Sequence, residues 1–212
     1  MLKAIHDYCQ KHSTVSTQNL IDLERETNLK TLAPQMLSGP LQGRFLAMIS
    51  QLIQPKNILE IGTFTAYGTL CLAEGLADDG CLHTIEGNPE LKHIIDKYLH
   101  IAGIQNRVQL HIGDAKTIIP TINTTYDIVF MDANKREYTQ YFDLVANSIR
   151  PGGVLLADNV LWSGKVVKGE QDTDTQMIDA FNKKVLADER FENLILPIRD
   201  GLMMARKITI TP

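Results

Sequence analysis

The twelve residues Asn57-Ile58-Leu59-Glu60-Ile61-Gly62-Thr63-Phe64-Thr65-Ala66-Tyr67-Gly68 constrain the fold of this chain more than any other stretch. The first half is apolar on both parities, the pattern of a strand buried on both faces of a parallel sheet. It stops at a glycine followed by small and hydroxylated residues that open a helix. Glu60 stands one residue before the end of that strand, where a buried carboxylate is expensive unless something pairs with it, and a ligand bearing donors supplies such a partner. Taken alone, Gly62 reads equally well as an ordinary strand-to-helix turn.

The same unit recurs along the chain. Tyr67 to Leu76 reads as a helix and Asp78-Asp79-Gly80 as a turn, leading into Cys81-Leu82-His83-Thr84-Ile85-Glu86, a second apolar strand ending in an acid 24 positions after Gly62. A carboxylate at the tip of the second strand of a βαβ unit accepts both hydroxyls of a ribose, which makes Glu86 the candidate ribose ligand. Pro89 opens a helix to Ala102 that Gly103 caps, and Arg107 to Ile112 is a third strand leading to Gly113-Asp114-Ala115. Tyr126 to Asp132 is a fourth strand. A helix over 137–149 and a Pro151-Gly152-Gly153 turn lead to a fifth strand, Val154 to Asp158. Four strands thus finish at Glu86, Asp114, Asp132 and Asp158, and in an open parallel sheet their carboxyl ends share the edge where ligands bind.

The ends of the chain differ from this core. Asp172 to Ala187 reads as an amphipathic helix with Met177, Ile178, Phe181 and Val185 on one side. Asn193 to Ile198 and Leu202 to Ile208 read as strands whose tight Arg199-Asp200-Gly201 connection forces antiparallel pairing. At the other end, Leu2 to Lys30 predicts two short helices, with Thr17 as an N-cap and Leu20, Ile21, Leu23 and Leu29 as an apolar stripe that packs on the domain or on a partner subunit. The turn-rich run Ala33 to Pro40 precedes a helix from Leu41 to Ile53, stopped by Pro55, with Phe45, Leu46, Ile49, Leu52 and Ile53 as its buried side. The expected fold is α/β: a seven-stranded, mostly parallel sheet with an antiparallel terminal hairpin and helices on both faces.

Composition narrows the class of function. With 212 residues, 44% of them hydrophobic, the chain is expected to form a single domain over 1–212, in which 1–40 is a helical appendage and covering loop and 41–212 the core. A net charge of -4 and no cluster of Lys or Arg argue against nucleic acid as a partner and for a small molecule. Cys9, Cys71 and Cys81 have neither the even count nor the paired spacing of a disulfide framework, as expected of reduced thiols in the cytoplasm. The first twelve residues hold no apolar run, and no later stretch approaches the roughly 18 apolar residues of a membrane span, so no membrane association is expected.

The choice of cofactor rests on what Gly62 lacks. The dinucleotide fingerprint needs Gly-x-Gly-x-x-Gly, and here Phe64 and Tyr67 occupy the second and third glycine positions, so a pyrophosphate cannot approach the backbone. S-adenosylmethionine, a ribose and an adenine with a charged methionine tail, fits better, and the antiparallel hairpin agrees with it.

Four longer motifs, in order, carry a family resemblance: Leu59-Glu60-Ile61-Gly62-Thr63-Phe64-Thr65, Asp132-Ala133-Asn134-Lys135, Asp158-Asn159-Val160-Leu161-Trp162-Ser163-Gly164 and Pro197-Ile198-Arg199-Asp200-Gly201-Leu202. Over 36–207 the chain resembles the class I, metal-dependent O-methyltransferases of the caffeoyl-CoA and catechol O-methyltransferase family. The resemblance implies a Rossmann-like methyltransferase fold and a divalent metal held by Asp132, Asp158 and Asn159, usually magnesium, with manganese or calcium as alternatives. It also implies Lys135 as general base, a catechol-like acceptor, a homodimer, and a cofactor site lined by Ser38, Glu60, Gly62, Thr63, Gly68, Glu86, Asp114, Ala115 and Asp132. Two carboxylates and an amide oxygen suit a hard cation and leave positions for both oxygens of a vicinal diol. A solvated surface position is the usual fate of a lysine, and it is the company of Asp132 and the Asp158-Asn159 pair that sets Lys135 apart. The chain departs from the family where Gly39-Pro40-Leu41-Gln42-Gly43 lacks the acid that plant members carry before Gln-Gly. It departs again at Asn134, where many relatives have Asp, and at Gly68, where many have a Ser that touches the cofactor's carboxylate. Trp162 either walls the acceptor pocket or belongs to the core. Two readings compete with methyl transfer: an NAD-type oxidoreductase on the same sheet, disfavoured by the missing glycines, and a binding module without chemistry, which calls for a broken metal set.

Overall fold

The structure, a computed structural model, describes residues 2–168 and 172–209. Seven strands, β1 (Asn57–Ile61), β2 (Cys81–Glu86), β3 (Val108–Ile112), β4 (Tyr126–Met131), β5 (Ile149–Asp158), β6 (Phe191–Leu196) and β7 (Leu202–Lys207), form one sheet in the order β3-β2-β1-β4-β5-β7-β6. The first five run parallel, and β7 lies antiparallel between β5 and β6. The strand order reverses between β1 and β4, the position at which open α/β sheets bind ligands beyond their carboxyl ends. This is the architecture expected from the alternation of apolar runs and turn residues.

Eight helices accompany the sheet among the described residues: α1 (Leu2–Lys11), α2 (Gln18–Lys30), α3 (Gly39–Ile53), α4 (Tyr67–Ala73), α5 (Lys92–Ile101), α6 (Ala115–Ile118), α7 (Tyr138–Val145) and α8 (Thr173–Ala187). Strand parity divides the core in two. Ile58, Ile128, Phe130, Val154 and Leu156 face α2 to α5, while Leu59, Ile61, Val129, Met131 and Leu155 face α6 to α8. On the second face the Tyr138 and Phe181 rings meet edge to face at 5.2 Å, a geometry that adds about 1 kcal/mol to their area burial. No described helix is long and apolar enough to cross a membrane.

Several elements differ from the sequence-based expectation. The buried side of α3 is Gln42, Gly43, Leu46, Ala47 and Ser50; Phe45, Ile49 and Ile53 lie at its flank and Leu52 is 78% exposed. The cause is the close approach of α4: a Cβ on Gly43 would lie 2.6 Å from Tyr67 Cε1, and the Ser50 hydroxyl donates to the Leu72 carbonyl at 2.5 Å. Small residues admit the neighbouring helix, and that packing overrides the apolar periodicity of α3. The stripe on α2 is Leu20, Leu23 and Thr27, with Ile21 and Leu29 exposed; on α8, Met177 is exposed while Ile178, Phe181 and Val185 are buried. α7 ends at Val145, and β5 starts at Ile149, taking in the Pro151-Gly152-Gly153 run expected as a turn. Tyr126 pairs with Ile149 and Ile128 with Val154, so the extra residues bulge out of the ladder and the proline costs no hydrogen bond there. α6 and a 3-10 segment at Trp162–Val167 appear where no element was expected.

The N-terminal segment packs on its own domain. The Thr27 hydroxyl donates to Thr65 at 2.9 Å, and Glu26 accepts from Lys30, Lys97 and the Tyr98 hydroxyl. These contacts lay α2 beside the turn after β1, and so carry the residues after α2 over the ligand-binding edge.

Candidate functional site

Three strand ends meet at Gly62. Its φ of +99° lies in the region that favours glycine, and a Cβ there would stand 2.2 Å from the Asp132 carbonyl oxygen. Gly62 and Thr63 donate their amides to the Ile85 carbonyl at 2.9 and 3.2 Å, and Asp132 donates its own to the Ile61 carbonyl at 2.8 Å. The tips of β1, β2 and β4 are therefore fixed to one another by backbone alone.

Glu60, 1% exposed, lies just below this junction. The Thr69 and Thr84 hydroxyls both donate to its Oε2, the second at 2.6 Å. Because the one Thr84 proton is committed there, Thr63 donates to Thr84 at 2.5 Å. Burial raises the Glu60 carboxyl to about 8 against the pull of both threonines, with Asp132 and Glu86 adding to the rise. The partner that the sequence required for this acid is thus supplied in part from within. Gly68 faces the other oxygen: a Cβ there would lie 2.6 Å from Glu60 Oε1, so the absence of a side chain at this position has a local cause.

A cleft of about 720 Å³ runs along the sheet edge, with Glu86, Asp114 and Ala115 on one wall and the chain from Lys30 to Met36 over it. A narrow recess continues from it between Ser38, Glu60, Thr63 and Gly68, and Gly62 and Asp132 border both spaces. All nine residues expected around a cofactor line one space or the other. Glu86 accepts the Phe64 amide on Oε2 at 2.7 Å and the Asn88 amide on Oε1 at 2.8 Å. Burial raises its carboxyl while these amides lower it. Asp114 caps α6 by accepting the Lys116 amide at 2.9 Å.

Asp132, Asp158 and Asn159 occupy the neighbouring part of the edge. Lys135 Nζ lies 2.7 Å from Asp132 Oδ1 and 5.1 Å from the centroid of the Tyr138 ring. Burial favours its neutral amine, but Tyr138 and the Asp132 carboxylate outweigh burial and hold the ammonium well above its ordinary range. Asp158, also 1% exposed, accepts the Asn159 amide on Oδ1 at 2.8 Å. Burial first and Asp132 second push its carboxyl up to about 6, while Gln42, Arg199 and Lys135 pull it down. Gln42 lowers it as a hydrogen-bond donor, although its buried amide nitrogen does not meet the carboxylate in good hydrogen-bond geometry.

Asn159, Trp162, Ser163 and Gly164 all have positive φ, a tight loop held by the terminal hairpin. Val160 and Leu161 donate their amides to the Gly201 and Asp200 carbonyls at 3.1 and 2.9 Å, and Ser163 donates to Asp200 Oδ1 at 2.5 Å. Trp162 is half-buried and packs against the second core cluster. Residues 169–171, which follow this loop, lie outside the described residues.

Among the described residues no group of three or more His, Cys, Asp and Glu is arranged to hold a metal ion. The candidate set has two acids and an amide, and its chemistry fits a divalent cation: Asp132 raises the cost of charging the buried Asp158, which a cation between them would relieve. Sequence reasoning missed Gln42, Tyr138 and Arg199 as members of this site. The hairpin motif containing Arg199 was visible, without any indication of which distant residues it meets.

Comparison with known proteins bears on these arrangements. A family model described as O-methyltransferase matches residues 10–208. A catechol O-methyltransferase from Niastella koreensis is 35% identical over 183 residues, covering 81% of this chain and 82% of the relative. Caffeoyl-CoA O-methyltransferase 5 from Nicotiana tabacum is 30% identical over 198 residues, covering 87% of this chain and 82% of the relative. Among solved structures, the O-methyltransferase from Bacillus cereus in complex with SAH superposes with a TM-score of 0.88 at 28% identity, covering 96% of this chain and 97% of that one.

Proposed function

Because the chain belongs to the O-methyltransferase family and is an S-adenosylmethionine-dependent enzyme, we propose that it methylates one hydroxyl of a catechol-like small molecule with the help of a divalent metal and Lys135. The observation that carries this reading is the buried Asp158 carboxylate beside the Asp132–Lys135 pair, next to the recess formed by Glu60 and Gly62. The similarity to a catechol O-methyltransferase supports a vicinal diol as acceptor. With the family assigned, an NAD-type oxidoreductase is no longer needed to account for the βαβ unit.

In this reading the cleft takes the nucleoside. Glu86 accepts from the ribose hydroxyls while its backbone amide partners fix its rotamer, and Asp114 with Ala115 borders the base. The recess takes the charged methionine tail, whose ammonium would draw the proton off the buried Glu60 carboxyl and so supply itself with a counter-charge. Asp132, Asp158 and Asn159 would hold a divalent cation, magnesium by preference, whose charge lowers the pKa of a coordinated phenol and holds a diol in a fixed orientation. Lys135 takes the hydroxyl proton as the O–CH3 bond forms and the S–CH3 bond breaks, leaving a neutral thioether. To do so it must first shed the proton that Asp132 retains on it, and commitment of the Asp132 carboxylate elsewhere in the site removes that counter-charge. Tyr138, whose one hydroxyl proton is shared between the Met131 and Asp158 carbonyls at 2.9 and 3.1 Å, keeps the wall beside the amine rigid.

The test is an acceptor panel with methyl-labelled cofactor: vicinal diols and matched monophenols, each with magnesium and with EDTA. Methylation is expected for diols only, and only with metal. Asp158→Ala is expected to abolish it while S-adenosylhomocysteine still binds by calorimetry. Full activity in EDTA, or equal rates with monophenols, would sink the proposal.

A further inference from the structure

The tip of the β6–β7 hairpin touches both halves of the site. Arg199 places Nη1 2.6 Å from the Ser38 carbonyl oxygen, 3.2 Å from Gln42 Oε1 and 3.8 Å from Asp158 Oδ2. Ser38 walls the recess beside Glu60 and Gly68, while Asp158 ends β5. One guanidinium, 161 positions after Ser38 in sequence, therefore bridges the start of α3 and the sheet edge.

Two details show that the side chain is there for its reach. Arg199 has φ 51°, a left-handed conformation that glycine adopts freely and a side chain adopts at a cost. A guanidinium also carries donors only, so the contact fixes the orientation of the Gln42 amide. With Oε1 turned to Arg199, the buried amide nitrogen is turned to Asp158, which it lowers as a donor though without good hydrogen-bond geometry. Ser38 is 6% exposed and Gln42 fully buried, so neither oxygen would find water in place of the guanidinium without the wall opening.

We propose that Arg199 is a positioning residue for the cofactor: it fastens Ser38, which lines the recess, and Gln42 one turn along α3 to the end of β5, and by doing so sets cofactor affinity. The proposal rests on the reading of the recess as a methionine-tail site. A guanidinium at this distance binds through charge-assisted hydrogen bonds, which hold a corner more firmly than neutral contacts do.

Arg199→Gly separates the side chain from the backbone, because glycine relieves the strained turn while deleting the guanidinium; the relief of the turn and the loss of the buried contacts oppose each other, so the melting temperature is expected to move by only a few degrees. Titration calorimetry with S-adenosylhomocysteine in EDTA reads the cofactor site without metal or turnover. The expected result is a Kd about tenfold higher or more, with faster amide exchange confined to residues 38–43. Arg199→Lys, which keeps one cationic donor, is expected to recover part of the affinity. An unchanged Kd in Arg199→Gly overturns the proposal. So does a loss of affinity with uniformly faster exchange across the sheet, which would make Arg199 a general stabiliser. If the wild-type chain itself failed to bind S-adenosylhomocysteine, the cofactor reading would fall and take this proposal with it.

Discussion

Glu60→Gln isolates the cost of keeping an acid under the cofactor recess. Burial, reinforced by Asp132 and Glu86, lifts the folded carboxyl from its ordinary 4.5 to about 8. Its contribution to stability is therefore complete below about pH 4.5, where folded and unfolded chains both hold the proton, and is lost as pH rises toward 8. At about 1.4 kcal/mol for each tenfold change, ionising Glu60 in the folded chain costs on the order of 5 kcal/mol, an upper bound because local relaxation reduces it. Glutamine carries no charge at any pH and keeps an oxygen where Thr69 and Thr84 both donate. Asp158, pushed up to about 6, gives a slope of the same sign over a lower range, while His83 and His111, lowered by burial, give the opposite sign. The difference between the two proteins, rather than either curve, therefore reports Glu60. Urea unfolding between about pH 5 and 8.5 should show the wild type losing roughly 3 kcal/mol more than the variant over that range. Parallel curves would refute the argument and leave Glu60 an ordinary ionised carboxylate.

Three other substitutions test separate parts of the site. Lys135→Ala should lower kcat by about 100-fold or more while S-adenosylhomocysteine affinity stays unchanged, and an unaltered kcat would remove Lys135 from the chemistry. Glu86→Ala removes the proposed ribose acceptor and the oxygens that accept the Phe64 and Asn88 amides. Calorimetry should find cofactor binding weaker by about 1 to 3 kcal/mol, and equal affinity would move the ribose elsewhere. Gly62→Ala drives a Cβ to 2.2 Å from the Asp132 carbonyl oxygen at an unfavourable φ, so denaturation should show a loss on the order of 3 kcal/mol. A wild-type midpoint would mean that the turn relaxes freely.

The sheet and its acidic edge are legible because buried parallel strands write apolar runs into the sequence, and each run here stops at an acid or a glycine turn. The partners of those acids are not. Glu60 is expected to need a donor, but the one on Thr84 comes from the β1–β2 register, which pairs Glu60 with Thr84, and no single strand announces its register. The buried face of α3 escapes the sequence for a similar reason: Gly43 and Ser50 matter through α4, and the periodicity of one helix carries no information about how near its neighbour comes. Arg199 lies in a recognisable motif, yet its contact with Ser38 spans most of the chain and rests on a backbone angle that residue identity does not suggest.

The contact between Gly62 and the Asp132 carbonyl has a consequence for how this enzyme can diversify. In the proposed reading, the turn that receives the methyl donor and the residue that begins the acceptor side rest on each other through main chain, so their spacing is set by atoms common to every amino acid. Side chains of the loop after β5 can therefore change with the shape of the acceptor while the gap that the methyl group must cross stays the same.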